Sequence, residues 1–318
     1  MLVTTAVWQD GGRAVRQYGG KGGPSGLGPP DRRLHTQVMK TAPPLWILRT
    51  AFRTVGTVAP GVAARWAEAI FCRPPRNEPR PGEDAFLATG TRLSVRSENQ
   101  DLAAWSWGQG PVVVVAHGWG SRAGRFSILA GALVTAGFRV VLFDAPAHGA
   151  SKGHLASLPQ FSRALRAVAD AVGPVYGLVG HSLGGAAVAL AMDTGLQAQR
   201  AVLLAPPADV VLFSHAFAAH LRLPMRAHDA MRRNLESRLQ IRWEELHGPT
   251  LARRMTVPAL IVHDRDDPDV PYSHGAEIAD AWPGAELLAT AGLGHRSVIR
   301  DPEVLRRTVT FLTAGLPR

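Results

Sequence analysis

V-Y-G-L-V-G-H-S-L-G-G-A-A-V-A-L-A-M, residues 175–192, is the stretch on which the reading of the whole chain turns. Val175 to Val179 is an apolar run of strand length and composition. Gly180-His181-Ser182-Leu183-Gly184 follows, and Gly185 opens an Ala-rich run of helical character. A serine between glycines at such a strand-to-helix turn is held in a strained backbone conformation with its hydroxyl clear of the sheet. Side chains two residues before and after it would collide, which is why Gly180 and Gly184 are wanted there. The next amide, that of Leu183, opens the helix, where N–H groups lack partners and can stabilise an oxyanion.

Working outward, the chain alternates strand-like and helical segments, the pattern of a mostly parallel sheet covered by helices. Strand-like runs are Thr91–Val95, Ala103–Trp107, Pro111–Ala116, Arg139–Phe143, Val175–Val179, Ala201–Leu204, Ala259–Val262 and Glu286–Ala289. The first two have no helix between them and predict an antiparallel edge. Helical patterns fall near Arg125–Ala136, Pro159–Val172, Gly185–Met192, Gly275–Ala281 and Glu303–Leu312. Residues 208–254, after the sixth strand, carry Arg-rich helical sequence and predict a lid.

Upstream, Leu45, Leu48, Phe52 and Val55 recur at helical spacing, and Val62 to Phe71 reads as a second short helix. These form an N-terminal helical arm within residues 39–83, ending in a Pro- and charge-rich linker over 73–83. The arm packs on the main domain, residues 84–318, in the preferred reading; peripheral membrane contact by an amphipathic basic helix is the other. Residues 1–38 are Gly-rich without apolar period and read as disordered, with Met39 as the natural start.

Composition narrows the function. The chain has 318 residues, 46% hydrophobic and 19% charged, which suits a globular α/β protein. Of the net charge of +10, residues 1–80 carry 12 basic against 4 acidic groups, and the remainder 23 against 21. No basic stripe interleaved with aromatics appears, so no nucleic-acid partner is expected. Cys72 is the one cysteine, which excludes an intramolecular disulfide and favours a reducing, cytoplasmic location. No His/Cys spacing suits zinc. Asp264, Asp266, Asp267 and Asp269 invite calcium, but Pro268 interrupts the loop and its glycine is missing, so no metal or cofactor is expected.

A serine hydroxyl needs a histidine base, and the histidine an acceptor that fixes its tautomer. His295 ends Ala291-Gly-Leu-Gly-His295 after the last strand. The acid should end a neighbouring strand; Asp267 is chosen, with Asp266 next and Asp209 third. Val112-Val-Val-Val115 runs into Ala116-His117-Gly118-Trp119-Gly120, whose Trp119 amide is the second oxyanion donor, partnering Leu183. Trp119, His181, Phe213 and Phe217 are assigned to substrate contact. Arg222 and Arg226 could greet a carboxylate, and Glu244-Glu245 a peptide amine. Asp144 and His148, in Asp144-Ala-Pro-Ala-His-Gly-Ala-Ser151, are turn residues that shape the site rim.

With Ser182, Asp267 and His295 in that order, each after a strand, the chain resembles the α/β-hydrolase fold family from about Arg92 to Leu316. The motifs are His117-Gly118, Asp144-x-Pro-x-His-Gly-x-Ser151, Gly180-His-Ser-Leu-Gly-Gly185, Asp267-x-x-Val270-Pro271 and Gly294-His295. Ala147 departs from the glycine common before that His-Gly, and the N-terminal arm lies outside the core fold. The resemblance implies an eight-stranded, mostly parallel sheet with a helical lid after the sixth strand, and a serine hydrolase acting on a small-molecule acyl substrate. An acyltransferase or a non-catalytic binding member of the same fold is the alternative.

Overall fold

The computed structural model describes residues 44–316, so the expectations for residues 1–38 and Met39 lie outside the described residues. Eight strands form one sheet: β1 (Thr91–Ser97), β2 (Gln100–Trp107), β3 (Val112–Ala116), β4 (Arg139–Phe143), β5 (Val175–His181), β6 (Arg200–Leu204), β7 (Ala259–Asp264) and β8 (Ala285–Thr290). Their order is β1-β2-β4-β3-β5-β6-β7-β8. β1 pairs antiparallel with β2, and β2 with β4, while every other neighbour is parallel.

The central strands are apolar without alternation because both faces are covered. Val112, Val114 and Ala116 enter one core cluster, and Val113 and Val115 the other, on opposite sides of the pleat. All five residues of β3 and all seven of β5 are buried. Register then sets the site: Ala116 pairs with Gly180, so the loop after β3 and the turn after β5 emerge side by side. Catalytic groups of a parallel sheet belong at this carboxyl edge.

Helices cover the sheet. The chain enters through α1 (Leu45–Val58), α2 (Pro60–Phe71) and α3 (Glu83–Ala88); later come α4 (Ser127–Thr135), α5 (Leu158–Val172) and α6 (Leu183–Asp193). After β6 come α7 (Val210–Leu221), α8 (Met225–Leu239), a 3-10 turn at Trp243–Leu246 and α9 (Gly248–Ala252). The interval 208–254 is thus a series of helices joined by short turns and carries no strand. Then follow α10 (Tyr272–Ala281), α11 (Gly294–Ser297) and α12 (Pro302–Thr313).

α1 and α2 lie on the lid helices α7 and α8. Leu45, Leu48, Phe52 and Val55 pack into the larger core cluster. Gly56 makes the close approach possible, because a Cβ there would stand 2.5 Å from Pro224 Cδ. Arg49 Nε donates to the His220 carbonyl at 2.7 Å, and Arg238 Nη1 lies 2.5 Å from Glu68 Oε1. Arm and lid form one helical cap over the carboxyl edge of the sheet. Among the described residues no helix is long and apolar enough to cross a membrane.

Candidate active site

Ser182 joins β5 to α6 with φ 53° and ψ −126°, a left-handed conformation that costs a non-glycine residue about 1–3 kcal/mol. The glycines around it are required sterically. A Cβ on Gly180 would lie 2.5 Å from the Gly184 carbonyl oxygen, and one on Gly184 only 2.3 Å from that of Ala116. Gly118 faces the serine itself, since a Cβ there would stand 2.8 Å from Ser182 Cβ. The Ser182 N–H donates to the Leu204 carbonyl at 2.8 Å, tying the turn to β6. Leu183 is the first residue of α6, where a main-chain N–H has no intrahelical acceptor.

The loop after β3 is fixed from below by the β4 turn. The Gly120 N–H donates to His148 Nε2 at 2.9 Å, and the Ala123 N–H to Asp144 Oδ1 at 2.7 Å. Asp144 Oδ2 also accepts the Ala150 N–H at 2.7 Å. In the same way, the Ala145 N–H donates to His117 Nε2 at 2.9 Å. Burial pushes the pKa values of His117 and His148 down, and both act as neutral acceptors here. Asp144 and His148 therefore shape the rim, and hold Trp119 beside Ser182. Ala147 adopts φ 64°, the conformation that explains a glycine at this position in the family pattern.

His295 opens towards the same cleft as Ser182. Its Nδ1 lies 2.7 Å from Asp267 Oδ2, and a carboxylate can only accept, so Nδ1 carries the proton and Nε2 is left with a free lone pair in the neutral imidazole. Asp267 Oδ1 accepts the N–H groups of Asp269 and Val270, both at 2.8 Å. Burial alone would raise the Asp267 carboxyl; hydrogen bonds from His263 and His295 outweigh it and hold it well below the usual carboxylate range. His263 Nε2 lies 3.5 Å from Asp267 Oδ2 and 2.9 Å from the Val270 carbonyl.

The other aspartates have separate duties. Asp266 Oδ2 accepts the Gly292 N–H at 2.8 Å, and Asp209 caps α7 by accepting the Val211 N–H at 2.7 Å. Asp264, wholly buried at the end of β7, braces the site. Its Oδ1 accepts the N–H groups of Asp266 and Gly294 at 3.0 Å each. Its Oδ2 accepts the Thr290 hydroxyl at 2.7 Å and the Leu293 N–H at 3.1 Å. Burial opposes its ionisation, and these hydrogen bonds win and lower its pKa. The acid loop and the histidine loop thus hang on one carboxylate, a role sequence reasoning passed over.

His181, assigned to substrate contact, borders the cleft, but its Nε2 is spent on the His295 carbonyl at 2.8 Å. Burial first, then the neighbouring His295, push its pKa down to about 3. It steadies the backbone that carries His295.

Two cavities meet at Trp119 and Ser182. One, of about 120 Å³, is apolar and lies under the lid, with Leu158, Phe213, Phe217, Leu235 and Trp243 in its wall. The other, of about 410 Å³, is polar and contains His295. Arg222 and Arg226 line neither cavity. Glu244 and Glu245 are also absent from both; Glu244 pairs with Arg232, and Glu245 Oε1 accepts the Arg242 N–H. The linker contributes to the polar cleft through Pro75, Asn77, Glu78 and Arg80, which its composition alone did not reveal.

Comparison with known proteins adds a family. Residues 109–247 match the family model described as Serine aminopeptidase, S33, and residues 240–317 match that of TAP-like protein. An esterase of Pyrococcus furiosus superposes with a TM-score of 0.60 at 19% identity, covering 77% of this chain and 98% of that one. The chain belongs to the α/β-hydrolase fold family. A second solved member, Rv0554 from Mycobacterium tuberculosis, has a TM-score of 0.57 at 20% identity, covering 71% of this chain and all of that one.

Among curated members of this family, a 2-hydroxy-6-oxo-6-phenylhexa-2,4-dienoate hydrolase of Burkholderia cepacia is 25% identical over 256 residues, 65% of this chain and 90% of the relative. A pimeloyl-[acyl-carrier protein] methyl ester esterase of Chromobacterium violaceum is 46% identical over 82 residues, 24% of this chain. That match spans 30% of the esterase's own length.

Proposed function

We propose that this α/β-hydrolase-fold protein is a serine hydrolase that cleaves a carboxylic ester of a small, apolar acyl group through a covalent acyl-enzyme. The observation that carries the reading is the 2.7 Å His295–Asp267 hydrogen bond, on a histidine that shares a cleft with a serine at φ 53°. Ser182 Oγ attacks the carbonyl carbon as His295 Nε2 takes its proton. Asp267, held ionised, stabilises the imidazolium that results.

Negative charge then develops on the carbonyl oxygen, between the Trp119 and Leu183 amides. Removing one such donor costs about 3–4 kcal/mol in other hydrolases. His295 returns the proton to the departing alcohol, and water attacks the acyl-enzyme by the same steps in reverse. Relatives named as a methyl ester esterase and a phenylhexadienoate hydrolase support the hydrolase class.

The chemistry is tested by intact-mass analysis during turnover of a slow short-chain ester. A serine hydrolase gains the acyl mass on Ser182, and Ser182→Ala gains none while staying folded. Steady ester cleavage with no acyl adduct, undiminished in Ser182→Ala, contradicts the mechanism. Transfer of the acyl group to an added alcohol in preference to water identifies an acyltransferase instead.

A further inference from the structure

Which cavity takes which half of the ester follows from where the proton must go. The base returns its proton to the leaving group, so that group must lie on the His295 side of Ser182. His295 lines the polar cleft and not the apolar cavity. The acyl chain therefore occupies the apolar cavity, and the alcohol departs into the polar cleft. Size agrees: a cavity of about 150 Å³ holds benzene, so one of about 120 Å³ suits a chain of roughly four to six carbons.

The polar cleft presents Asn77, Arg80, Ser121, Arg125 and Arg296 around His295. Arg125 is committed to Glu83, with Nη1 2.8 Å from Oε1. Arg80 has no ion pair among the described residues and is exposed at the rim. Arg296 has only a loose one, 3.8 Å to Asp269 Oδ2, and its side chain is 61% exposed. Two carboxylates share the cleft. Glu78 is exposed at the rim, and Asp269 stands 3.8 Å from Arg296, too far for a hydrogen bond. Two guanidiniums thus face the leaving-group side with donors to spare, from the linker before α3 and from the helix that bears His295.

Resting on the hydrolase reading, we infer that the alcohol half of the substrate carries an anionic oxyacid group, a carboxylate or a phosphate, received by Arg80 and Arg296. A planar guanidinium matches either anion with paired N–H donors. The substrate is then an ester with a short apolar acyl chain and a negatively charged, hydrophilic alcohol.

The test is a matched series of butanoyl esters cleaved by the full chain. The alcohols are 4-hydroxybenzoate, 4-hydroxyphenyl phosphate and the neutral 4-hydroxybenzamide. Exposed charge pairs are individually weak, so the anionic esters should exceed the neutral one by about tenfold in kcat/KM, through KM. Arg80→Gln with Arg296→Gln should bring that ratio towards one, and salt should lower it in the wild type. A preference for one anionic ester over the other names carboxylate or phosphate as the source.

A wild-type ratio near one, with the neutral ester still cleaved, overturns the inference and leaves the hydrolase reading standing. So does a preference that survives the double replacement. Cleavage of none of the three, with no acyl adduct on Ser182, overturns the hydrolase reading beneath it.

Discussion

Asp264→Asn is the substitution with the most to say about how the site is held. The side chain keeps its shape and loses one acceptor. If its remaining oxygen stays on the Asp266 and Gly294 amides, the new NH2 group faces the Thr290 hydroxyl and the Leu293 N–H. A hydroxyl can turn and accept; an N–H cannot. One buried donor is left unpaired, at about 1–3 kcal/mol, and a charge-assisted hydrogen bond to Gly294 is weakened as well.

The expected destabilisation is therefore about 2–4 kcal/mol, or roughly 3–6 °C in Tm for a chain of this size. Activity should fall further than stability implies. Leu293 and Gly294 precede His295, the base of the proposed mechanism, and a shift of about 1 Å at a reacting group costs on the order of a hundredfold. The assay pairs thermal unfolding with kcat and KM on a butanoyl ester, read well below the variant's Tm. A folded variant with wild-type Tm and kcat would refute the brace. So would a loss confined to KM, because a displaced base acts on kcat.

Other consequences are as definite. Gly184→Ala should abolish both activity and soluble expression, because its methyl would sit 2.3 Å from the Ala116 carbonyl oxygen; circular dichroism of the recovered protein checks this. Asp267→Asn should lower kcat by on the order of 10³–10⁴-fold with little change in KM. Asp267 has a depressed folded pKa, so its contribution to stability is present above about pH 4 and lost as pH falls below it. Urea unfolding of the Asn variant should lack that acid limb.

His181 has its pKa depressed to about 3, so the unfolded state binds its proton first. Between about pH 6.5 and 3, stability should decline with falling pH by up to about 1.4 kcal/mol per unit from this residue, and His181→Gln should flatten the slope. Val210→Trp, in the wall of the apolar cavity, should shorten the preferred acyl chain by about two carbons, read as the kcat/KM ratio of acetyl to hexanoyl esters.

Much of this architecture was written plainly in the chain. All eight strands overlap the runs read from the sequence; the central ones were plain because a strand buried on both faces has no polar alternation to blur it, whereas β1 and β8 keep exposed residues at the edges of the sheet. β5 runs on to His181, two residues past its apolar run, since the backbone continues the ladder up to the Ser182 turn. That Ser182 and His295 would share a cleft, and that Asp267 would meet His295, was legible because a parallel sheet delivers the ends of its strands to one edge.

Asp264 was not legible as a brace. Its partners at Thr290, Leu293 and Gly294 lie 26 to 30 residues away, and its acceptors meet main-chain groups that no motif records. Residues 75–80 read as a linker from their prolines and charges; only the fold lays them across the cleft, where Asn77 Nδ2 donates to the Gly120 carbonyl at 2.6 Å. Helical spacing showed that the arm had an apolar stripe, and could not say that the lid would be what covers it.

Mass-spectrometric mapping of a fluorophosphonate adduct tests the central claim most directly, because such a probe reacts with a serine only where a base and an oxyanion hole activate it. The account predicts one adduct, on Ser182, absent in Ser182→Ala and formed at least a hundredfold more slowly in His295→Ala. Folded protein that takes no label, or takes it equally well without His295, would contradict it.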